Sequence, residues 1–157
     1  MTSASPRPAP PSAGASKTWP DHTVVYAGAA AVFGSHRWDL TELRTAVNKP
    51  PSAYLLDFTA GLPAPWSLLA RELCMCRIDV KTARQAGIVV QRPAQPLTTR
   101  SRISQLRRVA AFAAQTGRGL PSSWAQPDAD ALLRWHAKRT RSHRDLSKTV
   151  ELVTDLI

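Results

Sequence analysis

A chain of 157 residues with 21 lysines and arginines against 11 acids has room for one domain plus a tail and carries a net charge of +10. That balance draws a protein toward polyanions, nucleic acid first and acidic membrane surfaces second. No membrane span or secretory leader is expected: the longest mostly apolar run, VVYAGAAAVFG at 24–34, falls far short of the roughly 20 residues a span needs, and the N-terminus shows no charged-then-apolar pattern.

Residues 1–22 read as a disordered tail. Pro6, Pro8, Pro10, Pro11 and Pro20 stand among serines and alanines, and no core-forming residue precedes Trp19. Residues 23–91 follow as an N-terminal helical segment. Within it, 23–34 is a short strand or an extended piece packed on the domain. WDLTELRTAV, 38–47, reads as a short helix ended by Asn48 and Pro50-Pro51. YLLDF, 54–58, is a compact apolar anchor, and Gly61, Pro63 and Pro65 make a turn. A helix starts near Pro65 and runs through WSLLARELCMCRIDV, with Leu69, Leu73, Cys76 and Val80 as its apolar stripe.

QRPAQP, 91–96, reads as a linker to the third unit, 92–157. A helix over 97–116 opens it, with Thr98 or Thr99 as N-cap and Gly117 as its C-terminal stop. Ile103, Leu106, Val109, Ala110 and Ala113 line one side of this helix. Arg100, Ser104, Arg107, Arg108 and Ala111 line the other, while Arg102 lies near the apolar side. GLPSSW is a turn. The next helix carries Pro127 at its first position, Asp128 and Asp130 near the positive end of its dipole, and Ala129, Leu132, Leu133 and His136 as its buried stripe. DLSKTVELVTDLI closes the chain as a last helix, with Leu146, Val150, Val153 and Ile157 in line. A helix that stops on an apolar residue without a cap suggests a piece of a longer protein. The element pattern as a whole predicts an all-α fold.

The charge is localised. Residues 71–118 hold ten basic and two acidic groups, and residues 134–148 hold six and one. Each block overlaps a predicted helix. Charge runs are commonly solvated faces of mixed sign; the face of helix 97–116 has a single sign. Arginine dominates, and its fork suits phosphate oxygens and guanine edges.

Residues that could carry other chemistry do not assemble. Cys74 and Cys76 lie two apart on a helix, so they point to different faces and share neither a metal nor a disulfide. His22, His36, His136 and His143 make no zinc spacing with them. Both cysteines read as small hydrophobes in a reducing cytoplasm. No glycine-rich phosphate loop is present. HAKR, 136–139, matches a bare His-x-x-Arg pattern, but His136 lies on the apolar side of its helix. Trp38, Trp66, Trp124 and Trp135 read as core or turn anchors. No cofactor is expected.

In this order, VFGSHRWDLTEL, LLDFTAGLPAPWSLLARELCMCR and RPAQPLTTRSRISQLRRVAAFAAQTGRGLPSSWAQPDADALLRW resemble the N-terminal part of tyrosine recombinases of the phage-integrase family. The resemblance runs from about residue 30 to the end. It implies a SAM-like core-binding domain over 92–157, cut short at its C-terminus, that clamps one side of a DNA duplex. The DNA-binding residues would be Arg100, Ser104, Arg107 and Arg108, extended by Lys138, Arg139, Arg141, Arg144 and Lys148. The implied partners are double-stranded DNA and either the missing catalytic half or other recombinase protomers. The family's catalytic boxes and C-terminal tyrosine nucleophile have no counterpart, since Tyr26 and Tyr54 lie upstream of that domain. The expected protein is therefore catalytically inert alone. A second expectation, from the charge alone, is a helical regulatory protein that docks an acidic partner. A stand-alone helix-turn-helix regulator is disfavoured by the long proline-containing connections.

Overall fold

The computed structural model describes residues 16–27, 30–43, 49–88 and 96–139. Among them are a two-stranded antiparallel sheet, β1 (Arg37–Asp39) and β2 (Leu55–Asp57), and four helices, α1 (Ala64–Ile78), α2 (Val80–Gln85), α3 (Pro96–Thr116) and α4 (Gln126–Ala137). The protein is mostly helical, and the sheet corrects the expectation of an all-α fold.

The segment expected to be a helix over 38–47 begins as β1. Trp38 pairs with Leu56, with Arg37 opposite Asp57 and Asp39 opposite Leu55. Alternation turns Trp38 and Leu56 inward and their neighbours outward. That partner lies far along the chain, so periodicity inside 38–47 could not reveal it. Each strand ends on an aspartate that turns back on a threonine two residues later. Asp39 accepts from the backbone N–H and the hydroxyl of Thr41. Asp57 accepts from the N–H of Thr59 at 2.8 Å and from its hydroxyl at 2.6 Å. Such side-chain turns compete with the ladder and stop it. The threonine bonds hold both carboxylates below their usual range. Thr41–Leu43 then form a 3-10 turn; residues 44–48 lie outside the described part.

Pro63 and Pro65 lead into α1, where proline suits a first turn whose N–H groups have no helical partner. Its deepest residues are Trp66, Ser67, Ala70, Arg71, Cys74 and Met75. The expected stripe of Leu69, Leu73, Cys76 and Val80 is only half-buried. Arg71, which hydropathy counts as surface, lies on the buried face instead. Its Nη1 donates to the Phe33 carbonyl at 3.3 Å, its Nε to the Ser67 carbonyl at 3.4 Å, and the guanidinium sits 5.5 Å from the centre of the Phe33 ring. Asp79 ends α1, interrupting the helix expected through Val80, and starts α2 by accepting from the Thr82 N–H at 3.3 Å.

The apolar stripe of α3 is the expected one: Ile103, Leu106, Val109, Ala110 and Ala113 are all buried, joined by Thr99, Gln105 and Phe112. The helix begins at Pro96, earlier than expected, so Thr99 is a buried interior residue rather than a cap. Gly117 takes a φ of +68°, a left-handed conformation that disfavours any side chain, and the Arg118 N–H closes the helix end on the Ala113 carbonyl at 2.9 Å. In α4, Pro127 occupies the second position. The Asp128 carboxylate accepts from the Ala125 N–H at 2.8 Å, as an acid in the first turn should.

One hydrophobic cluster holds these elements together. It takes in Trp19, Phe33, Trp38, Leu56 and Phe58 with Met75, Leu106, Phe112 and Leu132. The cluster joins residues on both sides of the boundary drawn at 91 and 92, and it reaches into the stretch read as tail. Two aromatic series run through it. Trp19, Phe33, Trp38 and Phe58 follow one another at 6.0, 6.3 and 4.5 Å between ring centres. Phe112 meets Trp124 and Trp135, each at 5.7 Å. The closing helix expected over 145–157 and the linker residues 91–95 lie outside the described part.

Candidate functional site

Arg100, Ser104 and Arg108 stand at every fourth position of α3, all exposed. A helix rises 1.5 Å per residue, so the row spans about 12 Å along one face. No acid occurs in α3. The Ser104 hydroxyl donates back to the Arg100 carbonyl at 3.4 Å, while neither Arg100 nor Arg108 has a hydrogen-bond or ion-pair partner among the described residues. Both lie on an exposed face.

Arg107 departs from the expectation that grouped it with them. Its Nε donates to the Ala60 carbonyl and its Nη2 to the Asp57 carbonyl, each at 2.7 Å. Its stem runs past Gly61, whose φ of +69° keeps the turn tight; a β-carbon there would meet Arg107 Cγ at 3.6 Å. Arg107 is a clip that fastens α3 to the end of β2. Replacing it with alanine should cost about 1–3 kcal/mol, the range for hydrogen bonds from charged donors, and lysine should not restore the loss. Urea unfolding of both variants checks this; a stability equal to that of the unaltered chain would remove the clip.

Lys138 and Arg139 follow α4 and are exposed. Arg141, Arg144 and Lys148 lie outside the described residues. Arg139 stacks its guanidinium on the Trp135 indole, 4.0 Å from the ring centre. Arg108 and Arg139 meet across a cleft of about 210 Å³ lined by Arg108, Trp135, His136 and Arg139. Among the described residues no carboxylate lines it. One arginine from each basic block of the sequence thus lines the cleft between α3 and α4. Arg118 does not join them; its Nε is paired with Asp128 at 2.9 Å. The Ala125 N–H and Arg118 hold that carboxylate below its usual range.

Trp135 and Gln115 are the residues that sequence reasoning left out of the site. Trp135 was legible only as an anchor. Gln115 carried no signal, because its partners lie twenty and more residues away. His136 is 3 % exposed, as its place on the apolar side predicts. The cysteines are unpaired; burial pushes the Cys74 thiol up strongly and the Cys76 thiol up to about 11, so neither is a ready nucleophile. Among the described residues no group of His, Cys, Asp and Glu is placed to hold a metal ion, and no helix is long and apolar enough to cross a membrane.

Comparison of the chain with protein-family models, curated proteins and solved structures returned no match.

Proposed function

We propose that the chain is a DNA-binding module, the N-terminal and SAM-like core-binding portion of a site-specific tyrosine recombinase, inert as a catalyst alone. The observation that carries the reading is the exposed row of Arg100, Ser104 and Arg108 on a helix with no acid, its two guanidinium groups without a partner among the described residues. Three other arginines are neutralised or tied down: Arg107 by two carbonyls, Arg118 by Asp128, Arg71 by burial among carbonyls and an aromatic ring. Cations left free in a row are the arrangement that phosphates reward. The recombinase nucleophile is a tyrosine, and the chain's two support the inert reading. Tyr54 is 1 % exposed, and burial raises the Tyr26 hydroxyl above its usual pKa. Strand cleavage is then the work of a separate catalytic domain.

Fluorescence anisotropy with a labelled duplex of roughly 30 base pairs tests the proposal. Four exposed cations (Arg100, Arg108, Lys138 and Arg139), with three more in 141–148, give an expected log–log salt slope between about −3 and −6. Arg100→Ala with Arg108→Ala should weaken binding to every sequence roughly tenfold to thirtyfold and flatten that slope by about two. A folded sample that ignores DNA at low salt overturns the reading. If that sample also forms a stable dimer, the surface serves an acidic protein partner instead. A double variant that binds as the parent does at every salt concentration removes the assigned face.

A further inference from the structure

We propose that the cleft between α3 and α4 is a seat for a single phosphate group, clasped by Arg108 and Arg139, with Gln115 and Trp135 holding Arg139 ready. The DNA-binding reading supplies the source of that phosphate; the seat itself stands on the following geometry.

Arg139 is fixed from three directions. Its guanidinium lies on the Trp135 indole at 4.0 Å. Its Nη1 donates to the Trp135 carbonyl at 3.3 Å and its Nη2 to Gln115 Oε1 at 3.4 Å. The same Gln115 oxygen accepts from Trp135 Nε1 at 3.2 Å, and Trp135 in turn packs edge-on against Phe112. A guanidinium has five N–H donors, and these bonds use two of them. The other three have no partner among the described residues. An exposed arginine ordinarily loses much rotamer freedom when it grips a ligand; here much of that loss precedes binding.

The shape and charge of the cleft select the ligand. Two forks that approach from different elements suit a group with at least three acceptor oxygens. A carboxylate is satisfied by one fork alone. Among the described residues no carboxylate lines the cleft to oppose the two guanidinium charges. The C-terminal end of α4 would repel an anion, but Arg139 meets that end by bonding the Trp135 carbonyl. The volume of about 210 Å³ is many times what one water requires, enough for a phosphate with part of its hydration. A backbone phosphate of DNA and the phosphate of a small compound share this chemistry.

Nitrogen-15 NMR of the full chain reads the seat directly. The Trp135 indole N–H signal is identified by its absence in Trp135→Phe. Inorganic phosphate is titrated in, with sodium chloride at matched ionic strength as the control. The expected result is a saturable shift of that signal, with a dissociation constant of about 1–10 mM. Arg108→Ala should abolish it. Gln115→Met keeps the net charge and alters an exposed position, and it should weaken phosphate binding roughly threefold to tenfold by releasing Arg139. The same variant should weaken duplex binding by a similar factor while leaving the salt slope unchanged, because no cation is lost. No saturable shift beyond the chloride control overturns the seat, even where Arg100→Ala with Arg108→Ala still weakens DNA binding and the broader reading stands. A saturable phosphate shift in a chain that does not bind duplex DNA keeps the seat, assigns it to a small phosphorylated compound, and removes the DNA reading.

Discussion

Replacing Phe112 with alanine is expected to lower folding stability by about 3–5 kcal/mol, the range for emptying a buried aromatic site. Phe112 is 1 % exposed. Its ring meets the edge of Trp124 at 79° and of Trp135 at 64°, and the Arg118 guanidinium lies 4.9 Å from its centre. One side chain on α3 therefore holds both the turn at Pro121–Ser123 and helix α4. Each aromatic pair adds about 0.5–1.5 kcal/mol beyond the area it buries, so the loss should sit high in that range. Phe112→Leu keeps most of the volume and should cost less than half as much. Urea unfolding followed by tryptophan fluorescence measures both. The functional consequence follows from Trp135, which loses its edge contact and with it the fixed orientation of Arg139. Phosphate binding in the cleft should weaken under conditions where Phe112→Ala remains folded. A loss below about 1 kcal/mol would mean that α4 is held by other contacts.

Trp19→Ala is expected to cost about 3–4 kcal/mol, although Trp19 lies in a proline-rich stretch that composition marks as tail. The side chain is 2 % exposed, tilted against Phe33 at 6.0 Å, and its Nε1 donates to Asp79 Oδ2 at 3.2 Å. Asp79 is the junction of α1 and α2. Burial pushes its carboxyl up, but the bonds from Thr82 and Trp19 and the charge of Lys81 outweigh that and hold it below its ordinary value. A carboxyl with a depressed folded pKa stabilises the fold above its unfolded value near 3.9 and loses that stability as the pH falls through the folded value. Trp19→Phe keeps the packing and removes the donor. Its deficit should therefore be largest at neutral pH and shrink below about pH 4. Deleting residues 1–19 should reproduce the alanine loss. A deletion that leaves the unfolding midpoint unchanged would return this stretch to the status of a free tail.

The helical parts of the molecule were legible wherever a face repeats within one segment. The stripe of α3 from Ile103 to Ala113, its stop at Gly117 and the buried His136 of α4 all came from local spacing. So did the exposed row of Arg100, Ser104 and Arg108. Misreadings arose where a residue's environment is made by a distant segment. Trp38 is a strand residue because Leu56 is its partner, and Arg71 is an inner residue because the Phe33 carbonyl receives it.

The same division runs through the candidate site. Composition and spacing determined by themselves that this is a basic, mostly helical chain with one single-sign helix face and a second basic block beyond 134. Charge and the 3.6-residue period are local properties, and a sequence records them in full. Tertiary structure alone decided which cations are free. Arg107 and Arg108 are neighbours in sequence, yet one is clipped to the carbonyls of Asp57 and Ala60 while the other faces a cleft with Arg139. A guanidinium's availability depends on which acceptors the fold brings within hydrogen-bond reach, and those acceptors are backbone carbonyls and side chains from segments that no local pattern connects.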